Sequence, residues 1–161
     1  MKLKWARLDG RSGHEVGREL LRQLYHEETG ENCPAVLTAP RGKPYFENSP
    51  LCFSISHTKN HAFCALSDSP VGIDAEEKDR PVNLRLADKF LSNSERIRFE
   101  TVSDKRDALL RLWVLKEAAG KLTGEGLNGY PNHTDFDPGD PRIQEIDGCY
   151  LAVLKENDHA F

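Results

Sequence analysis

An acidic strand, together with a later helix that carries a further acid, constrains this chain more than any other feature. Val71–Glu77 contains β-branched residues, a small glycine and two acids two positions apart, which predicts a short buried strand. Side chains alternate along a strand, so Asp74 and Glu76 lie on the same face, about 7 Å apart. A later, strongly helical segment places Glu117 and Lys121 one turn apart on one face. The fold can therefore bring three carboxylates and a lysine to one point.

Asp74, Glu76 and Glu117 form a predicted ligand set for a hard divalent cation. Three carboxylates at one point repel each other unless a cation lies between them, and Mg²⁺ prefers carboxylates together with substrate phosphates. Lys121 adds a positive charge suited to a phosphate oxygen. The pattern indicates a phosphoryl-type transfer site, although the same spacings also occur at turn ends and as exposed i, i+4 pairs without any catalytic role.

Composition narrows the class of protein. The 161 residues are enough for about one domain, and 38% apolar against 30% charged residues is polar but globular. A net charge of -4 argues against a nucleic-acid partner held by bulk electrostatics. No apolar run reaches the length of about 18 residues that indicates a membrane span, and no signal-peptide core follows the first residues. Four scattered cysteines without a C-x-x-C pair are expected to be mostly buried thiols. We expect a cytoplasmic protein.

Hydrophobic periodicity predicts an α+β fold. Strands are expected over Lys2–Leu8, Leu51–Thr58, His61–Leu66, Val71–Glu77, Arg142–Asp147 and Cys149–Lys155. Helices are expected over His14–Thr29, Asn83–Leu91, a segment capped by Ser92 and running through Phe99, and Asp104–Thr123. Gly30–Pro50 is expected to be mostly loop, and Glu156–Phe161 a frayed end.

Several charged residues permit more than one interpretation. The first predicted helix has a basic side, which is either a solvated face or an anion-binding edge, formed by Arg11, His14, Arg18 and Arg22. Lys116 is either a salt-bridge partner or a second phosphate contact. Glu77 points away from the two strand acids and is expected at the surface, as is His61.

Four segments resemble the motifs of the 4′-phosphopantetheinyl transferases. Val71–Glu76 resembles the family signature G-I/V-D-x-E, and Trp113–Lys121 resembles W-x-x-K-E-A/S-x-x-K. Gly42–Pro44 and Phe53–Thr58 also agree with the family, and all four segments occur in the family's order. The resemblance runs from about residue 41 to residue 126.

The resemblance implies a particular architecture. Larger members of the family consist of two halves related by a pseudo-two-fold, each a helix with a few antiparallel strands, and the active site lies in the seam between them. This chain resembles a shortened member of the surfactin-synthetase-activating type. Residues 1–70 would form an abbreviated first half, and residues 71–161 a second half that carries the acidic motifs, together making a single domain.

The resemblance also implies an activity: transfer of 4′-phosphopantetheine from coenzyme A to a serine of an acyl or peptidyl carrier protein, with Mg²⁺. It implies that Gly42, Lys43 and Pro44 lie against the adenine end of coenzyme A, and that His57, which follows Ser56, contacts the phosphates. Arg18 is a further candidate for the nucleotide end. Catalytic roles fall to Asp74, Glu117 and Lys121, with either Glu117 or a metal-bound water as the general base.

Other functions remain open at this stage. The short first half suggests, as an alternative, a non-catalytic protein of the same fold that binds coenzyme A or a carrier protein. A different metal-dependent phosphotransferase or a nuclease is a weaker hypothesis. The chain is acidic and shows no basic, aromatic-rich face, which makes nucleic acid a poor substrate. Two halves within one chain favour a monomer, whereas an abbreviated half could instead require a partner chain.

Overall fold

The computed structural model describes residues 1–126 and 134–156, and within them the predicted mixture of helices and antiparallel strands is confirmed. The strands are β1 (Lys2–Arg7), β2 (Val36–Thr38), β3 (Pro44–Phe46), β4 (Cys52–His57), β5 (His61–Ser67), β6 (Val71–Glu77), β7 (Ile143–Ile146) and β8 (Cys149–Lys155). The helices are α1 (Gly13–Thr29), α2 (Ala87–Phe90), α3 (Asn93–Thr101) and α4 (Lys105–Thr123). The predicted frayed end falls largely on residues 157–161, which lie outside the described residues.

Helix α1 packs on a three-stranded antiparallel sheet with the strand order β1-β5-β4. Ser12 caps the helix by accepting a hydrogen bond from the backbone N–H of Glu15, and Gly30 ends it in a left-handed conformation at φ 76°. The apolar stripe of the helix, including Leu20 and Leu24, is buried against β5 and its neighbours. The amphipathic pattern thus determines which face of α1 meets this sheet.

Helix α4 packs on a second antiparallel sheet, whose strand order is β6-β8-β7. The closest approach is at Gly72, where a Cβ would lie 2.1 Å from the carbonyl oxygen of Ala118 and 2.5 Å from the backbone nitrogen of Leu122. Only glycine fits between strand and helix here. This close packing places the acids of β6 next to the last turns of α4.

Strands β4 and β6 bring the two sheets together. Ser54 Oγ accepts a hydrogen bond from the backbone N–H of Ile73 at 3.0 Å, and Ser56 Oγ accepts one from Ala75 at 3.1 Å. Beside them, a cluster of buried apolar side chains drawn from both sheets includes Phe63. The serines of β4 therefore fix its position along β6.

Two segments differ from the prediction. The presumed loop over Gly30–Pro50 contains the small β2–β3 hairpin, whose turn depends on Gly42 at φ 90°. The predicted helix over Asn83–Leu91 is a 3₁₀ turn at Leu84–Leu86 followed by the four-residue α2. These elements are too short for hydrophobic periodicity to identify them.

The capping box of Ser92 and Glu95 at the start of α3 is confirmed, and both hydrogen bonds are formed. All four cysteines are free thiols, and Cys64 and Cys149 are buried. None of the described helices is both long and apolar enough to cross a membrane.

Candidate active site

The carboxylate of Asp74 is the centre of a polar cluster between β4, β6 and α4. Its Oδ1 accepts hydrogen bonds from Lys121 Nζ at 2.7 Å and from Ser56 Oγ at 3.0 Å. Lys121 Nζ also donates to Ser56 Oγ at 3.1 Å. The Asp74 side chain is 9% exposed, whereas that of Lys121 is 33% exposed. The lysine thus links a buried carboxylate to solvent-accessible space.

Glu76 lies two residues further along β6. Burial, followed by the negative charge of Asp74, raises the pKa of the Glu76 carboxyl above its usual value. Arg80 forms an ion pair with this carboxylate, and Trp113 donates a hydrogen bond to it. The Arg80 guanidinium also lies 5.9 Å from the centre of the Trp113 ring.

Glu117 on α4 interacts electrostatically with both strand acids, Asp74 and Glu76. Burial, followed by the negative charge of Asp74, raises the pKa of Glu117, while Lys121 and Arg80 oppose the increase. Glu117 also contributes to the raised pKa of Glu76. The three carboxylates are therefore close enough to repel each other, and two cationic side chains balance part of that repulsion.

A cavity of about 290 Å³ adjoins this group. Glu117, Gly120 and Lys121 of α4 line it, and the other lining residues come from the β2–β3 hairpin, β4 and the segment after α4: Arg41, Gly42, Lys43, Pro44, Phe53, Ser54, Ile55, Gly124 and Gly126. The cavity thus joins three of the four segments that carry the resemblance, and Asp74 of the fourth segment, on β6, reaches it through the contact with Lys121.

Lys43 closes the end of the cavity near the last turn of α4. Its ammonium group donates a hydrogen bond to the carbonyl of Leu122, and its stem approaches Gly124. Burial lowers the pKa of this lysine. Lys43 thereby satisfies a backbone carbonyl at the C-terminal end of α4. The ligand contact that the sequence predicts for Lys43 stays a prediction.

Two of the sequence-predicted residues lie away from this cavity. His57 is exposed at the end of β4, with its ring against Gly13 at the start of α1. Arg18 is half-buried on α1 and is not among the residues that line the cavity. It follows Gly17, which packs against Ile55 of the cavity wall.

A metal ion would need these side chains to rearrange. Within residues 1–126 and 134–156, no three Asp, Glu, His or Cys side chains are arranged as a metal-ligand group. Asp74 is instead paired with Lys121, and Glu76 with Arg80. The donor chemistry nevertheless suits a hard cation, because the negative charge of Asp74 acts on both Glu76 and Glu117, and carboxylates are the ligands that such a cation prefers.

The expectation that Glu77 and His61 lie at the surface was wrong. Glu77 Oε1 accepts hydrogen bonds from Thr58 Oγ1 at 3.0 Å and from the backbone N–H of Asn60 at 2.9 Å. His61 is buried, and its Nε2 lies 2.9 Å from Asp147 Oδ2. The sequence signal was the turn at residues 58–60, whose backbone donors need acceptors.

Cys149 lies beside His61 without being an activated nucleophile. Its sulfur is 3.4 Å from His61 Nδ1. Burial, followed by the charge of Glu77, raises the pKa of this thiol to about 11. Because the thiolate is the reactive form, this cluster has a structural role at neutral pH.

The geometry suits a phosphate-bearing ligand. A lysine and a set of carboxylates at one end of an open cavity can hold a phosphate group and a cation, and positioning of this kind accounts for most of phosphoryl-transfer catalysis.

The sequence is similar to a family of known proteins. Residues 70–157 match the family model of the 4′-phosphopantetheinyl transferase superfamily. The 4′-phosphopantetheinyl transferase psf-1 of Bacillus pumilus is 33% identical over 118 residues, which is 70% of this chain and 50% of that protein. The 4′-phosphopantetheinyl transferase Sfp of Bacillus subtilis is 34% identical over 94 residues, 56% of this chain and 42% of Sfp. HetI of Nostoc, also a 4′-phosphopantetheinyl transferase by name, is 36% identical over 95 residues, 54% of this chain and 40% of HetI.

The chain spans about half the length of the curated relatives it matches. The family match nevertheless covers more than half of its 161 residues, including both β6 and α4, which carry the acidic cluster. The chain therefore belongs to the 4′-phosphopantetheinyl transferase superfamily and resembles its Sfp-like members.

Proposed function

We propose that this protein transfers 4′-phosphopantetheine from coenzyme A to a serine hydroxyl of an acyl or peptidyl carrier protein, with Mg²⁺ as cofactor. The observation that carries the proposal is the contact of Lys121 with Asp74 and Ser56 beside an open cavity. This contact joins both family motifs at one place, as a transferase site requires.

The cavity would hold coenzyme A. Gly42, Lys43 and Pro44 line it and are the proposed contacts of the adenine end, and Lys121 lines it as the proposed contact of a phosphate. Lys121 would exchange part of its contact with Asp74 for a phosphate oxygen, which a flexible, one-third exposed ammonium group can do. His57 and Arg18 are proposed as further contacts to the phosphates, and Ser56 as the residue that orients Lys121 and Asp74.

Asp74, Glu76 and Glu117 would hold Mg²⁺. When bound, the ion would neutralise charge that develops on the diphosphate during transfer. Arg80 pairs with Glu76 and at the same time lies near the Trp113 ring, so its guanidinium would have to give up the ion pair for Glu76 to bind the ion.

The serine of the carrier protein loses a proton as its oxygen attacks the β-phosphorus. Glu117 is the proposed base, because it lines the cavity and because burial raises its pKa towards the range in which a carboxylate accepts protons more readily. The displaced product would be 3′,5′-adenosine diphosphate. A water activated by the metal stays the alternative base.

We further propose that residues 1–70 and 71–161 correspond to the two halves of the family, with the active site in the seam. The contact between β4 and β6 supports this assignment, because Ser56 and Asp74 meet across it. Action as a monomer, a cytoplasmic location, and the absence of nucleic-acid and membrane partners stay predictions.

The proposal predicts that Asp74→Asn abolishes most turnover with the fold intact. Asparagine keeps an oxygen that can accept from Lys121 and Ser56, but it removes the charge that a cation requires, so we expect a loss of about 100-fold or more. The measurement is the mass gained by apo carrier proteins incubated with coenzyme A, Mg²⁺ and the protein. The control is Asp79→Asn, which removes the same charge from an exposed turn nearby.

A binding protein without catalysis is the second candidate. The pairing of Asp74 with Lys121 and of Glu76 with Arg80, in place of a shared metal-ligand arrangement of the described carboxylates, favours it. Calorimetry separates the two: coenzyme A affinity that does not depend on Mg²⁺, with no mass gain on any carrier protein of a broad panel, would establish binding alone.

A further inference from the structure

His57 ends β4, and the next residues form the turn that leads into β5. Its side chain is exposed, and the ring has no hydrogen-bond partner in the part of the chain that the structure describes. An exposed imidazole samples several rotamers unless its neighbours restrict it. Gly13 restricts the ring of His57 directly, and Glu77 restricts the backbone that follows it.

The first neighbour is Gly13, at the start of α1. A Cβ at this position would lie 2.6 Å from His57 Cγ, 2.8 Å from its Cβ and 2.9 Å from its Nδ1. These distances are well inside van der Waals contact, so any side chain at position 13 would displace the ring. The glycine lets the imidazole lie directly against the helix backbone.

The second residue, Glu77 at the end of β6, acts on His57 indirectly, through the turn that follows it. Its Oε1 accepts hydrogen bonds from Thr58 Oγ1 at 3.0 Å and from the Asn60 N–H at 2.9 Å. Thr58 Oγ1 in turn accepts from the N–H of His61 at 3.0 Å. A charged acceptor thus fixes the turn that follows His57 immediately.

Glu77 also contacts His61, which belongs to a wider network of charged residues. His61 Nδ1 lies 3.7 Å from Glu77 Oε1, and its Nε2 lies 2.9 Å from Asp147. Arg7 donates two hydrogen bonds to the Asp147 carboxylate, at 2.7 and 2.8 Å. Because Glu77 directly follows Glu76 on the same strand, this network fixes the position of His57 relative to the acidic strand.

We propose that Gly13 and Glu77 are positioning residues for His57, which hold its imidazole in the orientation that receives the phosphates of coenzyme A. The inference rests on the proposed function, because coenzyme A is the ligand. Gly13 determines where the His57 ring lies, and Glu77 determines the conformation of the turn that follows His57.

The test is isothermal titration of coenzyme A against the wild type and variants with Mg²⁺ present. We expect His57→Ala to raise the Kd about tenfold, as for one lost charge-assisted contact. Gly13→Ala and Glu77→Leu should have effects of similar size. Glu77→Gln, which keeps an acceptor oxygen, should bind nearly as the wild type does, and Glu145→Leu serves as a control for loss of an exposed carboxylate elsewhere.

Double variants separate positioning from general structural damage. Adding Gly13→Ala or Glu77→Leu to His57→Ala should weaken binding no further, because the ring they orient is already absent. In the transfer assay, each single variant should raise the KM for coenzyme A with kcat nearly unchanged. Gly13→Ala leaves the Glu77 network in place, so its result stands even if Glu77→Leu unfolds the protein.

Additive effects in the double variants would overturn the inference, as would normal binding by Gly13→Ala when His57→Ala binds weakly. Neither result would affect the proposed transfer itself. Unchanged binding by His57→Ala would remove His57 from the ligand site and the inference with it. A wild-type protein that does not bind coenzyme A at all would overturn the proposed function.

Discussion

Lys116 shows how one buried charge is accommodated next to the proposed catalytic residues. Its ammonium group lies 2.8 Å from Glu95 Oε2, with side chains that are 2% and 0% exposed. Glu95 also accepts hydrogen bonds from the backbone N–H groups of Ser92 and Phe136, both at 2.8 Å. Of the two interpretations that the sequence allowed for Lys116, the structure shows the salt bridge.

Lys116→Met should destabilise the fold strongly, because it leaves the buried Glu95 carboxylate without its cation. Removing one partner of a buried ion pair typically costs about 3–5 kcal/mol in the free energy of unfolding. Urea denaturation measures the loss.

The matched control is Lys105→Met on the same helix, where the ion pair with Glu100 is exposed. We expect it to cost less than about 1 kcal/mol. Equal losses in the free energy of unfolding for the two variants would mean that burial of the Lys116–Glu95 pair does not increase the cost of removing its lysine.

Residue types and spacings predicted which acidic and basic side chains lie together at β6 and α4, but not which other polar residues are buried. Strand periodicity places Asp74 on the same face as Glu76, and helix periodicity places Lys121 one turn from Glu117, so the sequence identifies both residues. Periodicity gave no such signal for Glu77 and His61, because the partial burial of Glu77 and the burial of His61 depend on the turn at residues 58–60 and on Asp147, 86 residues from His61. Contacts between distant segments are invisible to local periodicity.

At the scale of secondary structure, the packing of β6 against α4 determines the geometry of the site. Gly72 lies two residues before Asp74, and its missing side chain sets the distance between strand and helix. The same helix face presents Glu117 and Lys121 towards β6.

Gly72→Ala should therefore force the strand and the helix apart. A Cβ at this position meets backbone atoms of α4, which cannot move as a flexible side chain does, so we expect a loss of about 1–3 kcal/mol or more together with reduced transfer. Urea denaturation and the carrier-protein assay measure the two effects.

Gly17→Ala provides the comparison for this substitution. A Cβ there meets the Cγ2 methyl group of Ile55 at 2.6 Å, and the gain in helix propensity of about 1 kcal/mol offsets part of that contact. If Gly72→Ala proved no more damaging than Gly17→Ala, the close packing of β6 on α4 would not control the site.

The long elements were predictable from the sequence and the short ones were not. Helices α1 and α4 have caps, glycine ends and continuous apolar stripes, which together identify them. The three-residue strands of the β2–β3 hairpin offer no periodicity to detect, although their Gly42 turn lines the cavity.

At the scale of the whole molecule, Asp147 connects the two sheets. It lies in the turn between β7 and β8, and its carboxylate pairs with Arg7 of β1 and His61 of β5. The hydrogen bond from Arg7, and then that from His61, lowers the pKa of Asp147 well below its usual range. A lowered pKa in the folded state means that the ionised form stabilises the fold.

The contribution of Asp147 should therefore depend on pH. The difference in unfolding free energy between wild type and Asp147→Asn should be complete above about pH 5 and should shrink as the pH falls below about 4. Asparagine also tolerates the left-handed conformation that Asp147 adopts at φ 46°, so backbone strain does not confuse the comparison. Denaturation series between neutral and acidic pH measure this difference in unfolding free energy. The control is Asp79→Asn, which changes an exposed residue. A difference that stays constant down to the lowest pH would contradict this role.

The most direct test of the account is a crystal structure with coenzyme A and Mn²⁺ in place of Mg²⁺, since manganese is located by its anomalous scattering. We expect one ion bound to Asp74, Glu76 and Glu117, the diphosphate within reach of Lys121, and the adenine end beside Gly42–Pro44. A structure in which coenzyme A occupies another surface, or in which Asp74 and Glu76 keep their ion pairs with Lys121 and Arg80 while the ion binds elsewhere, would contradict the proposed site.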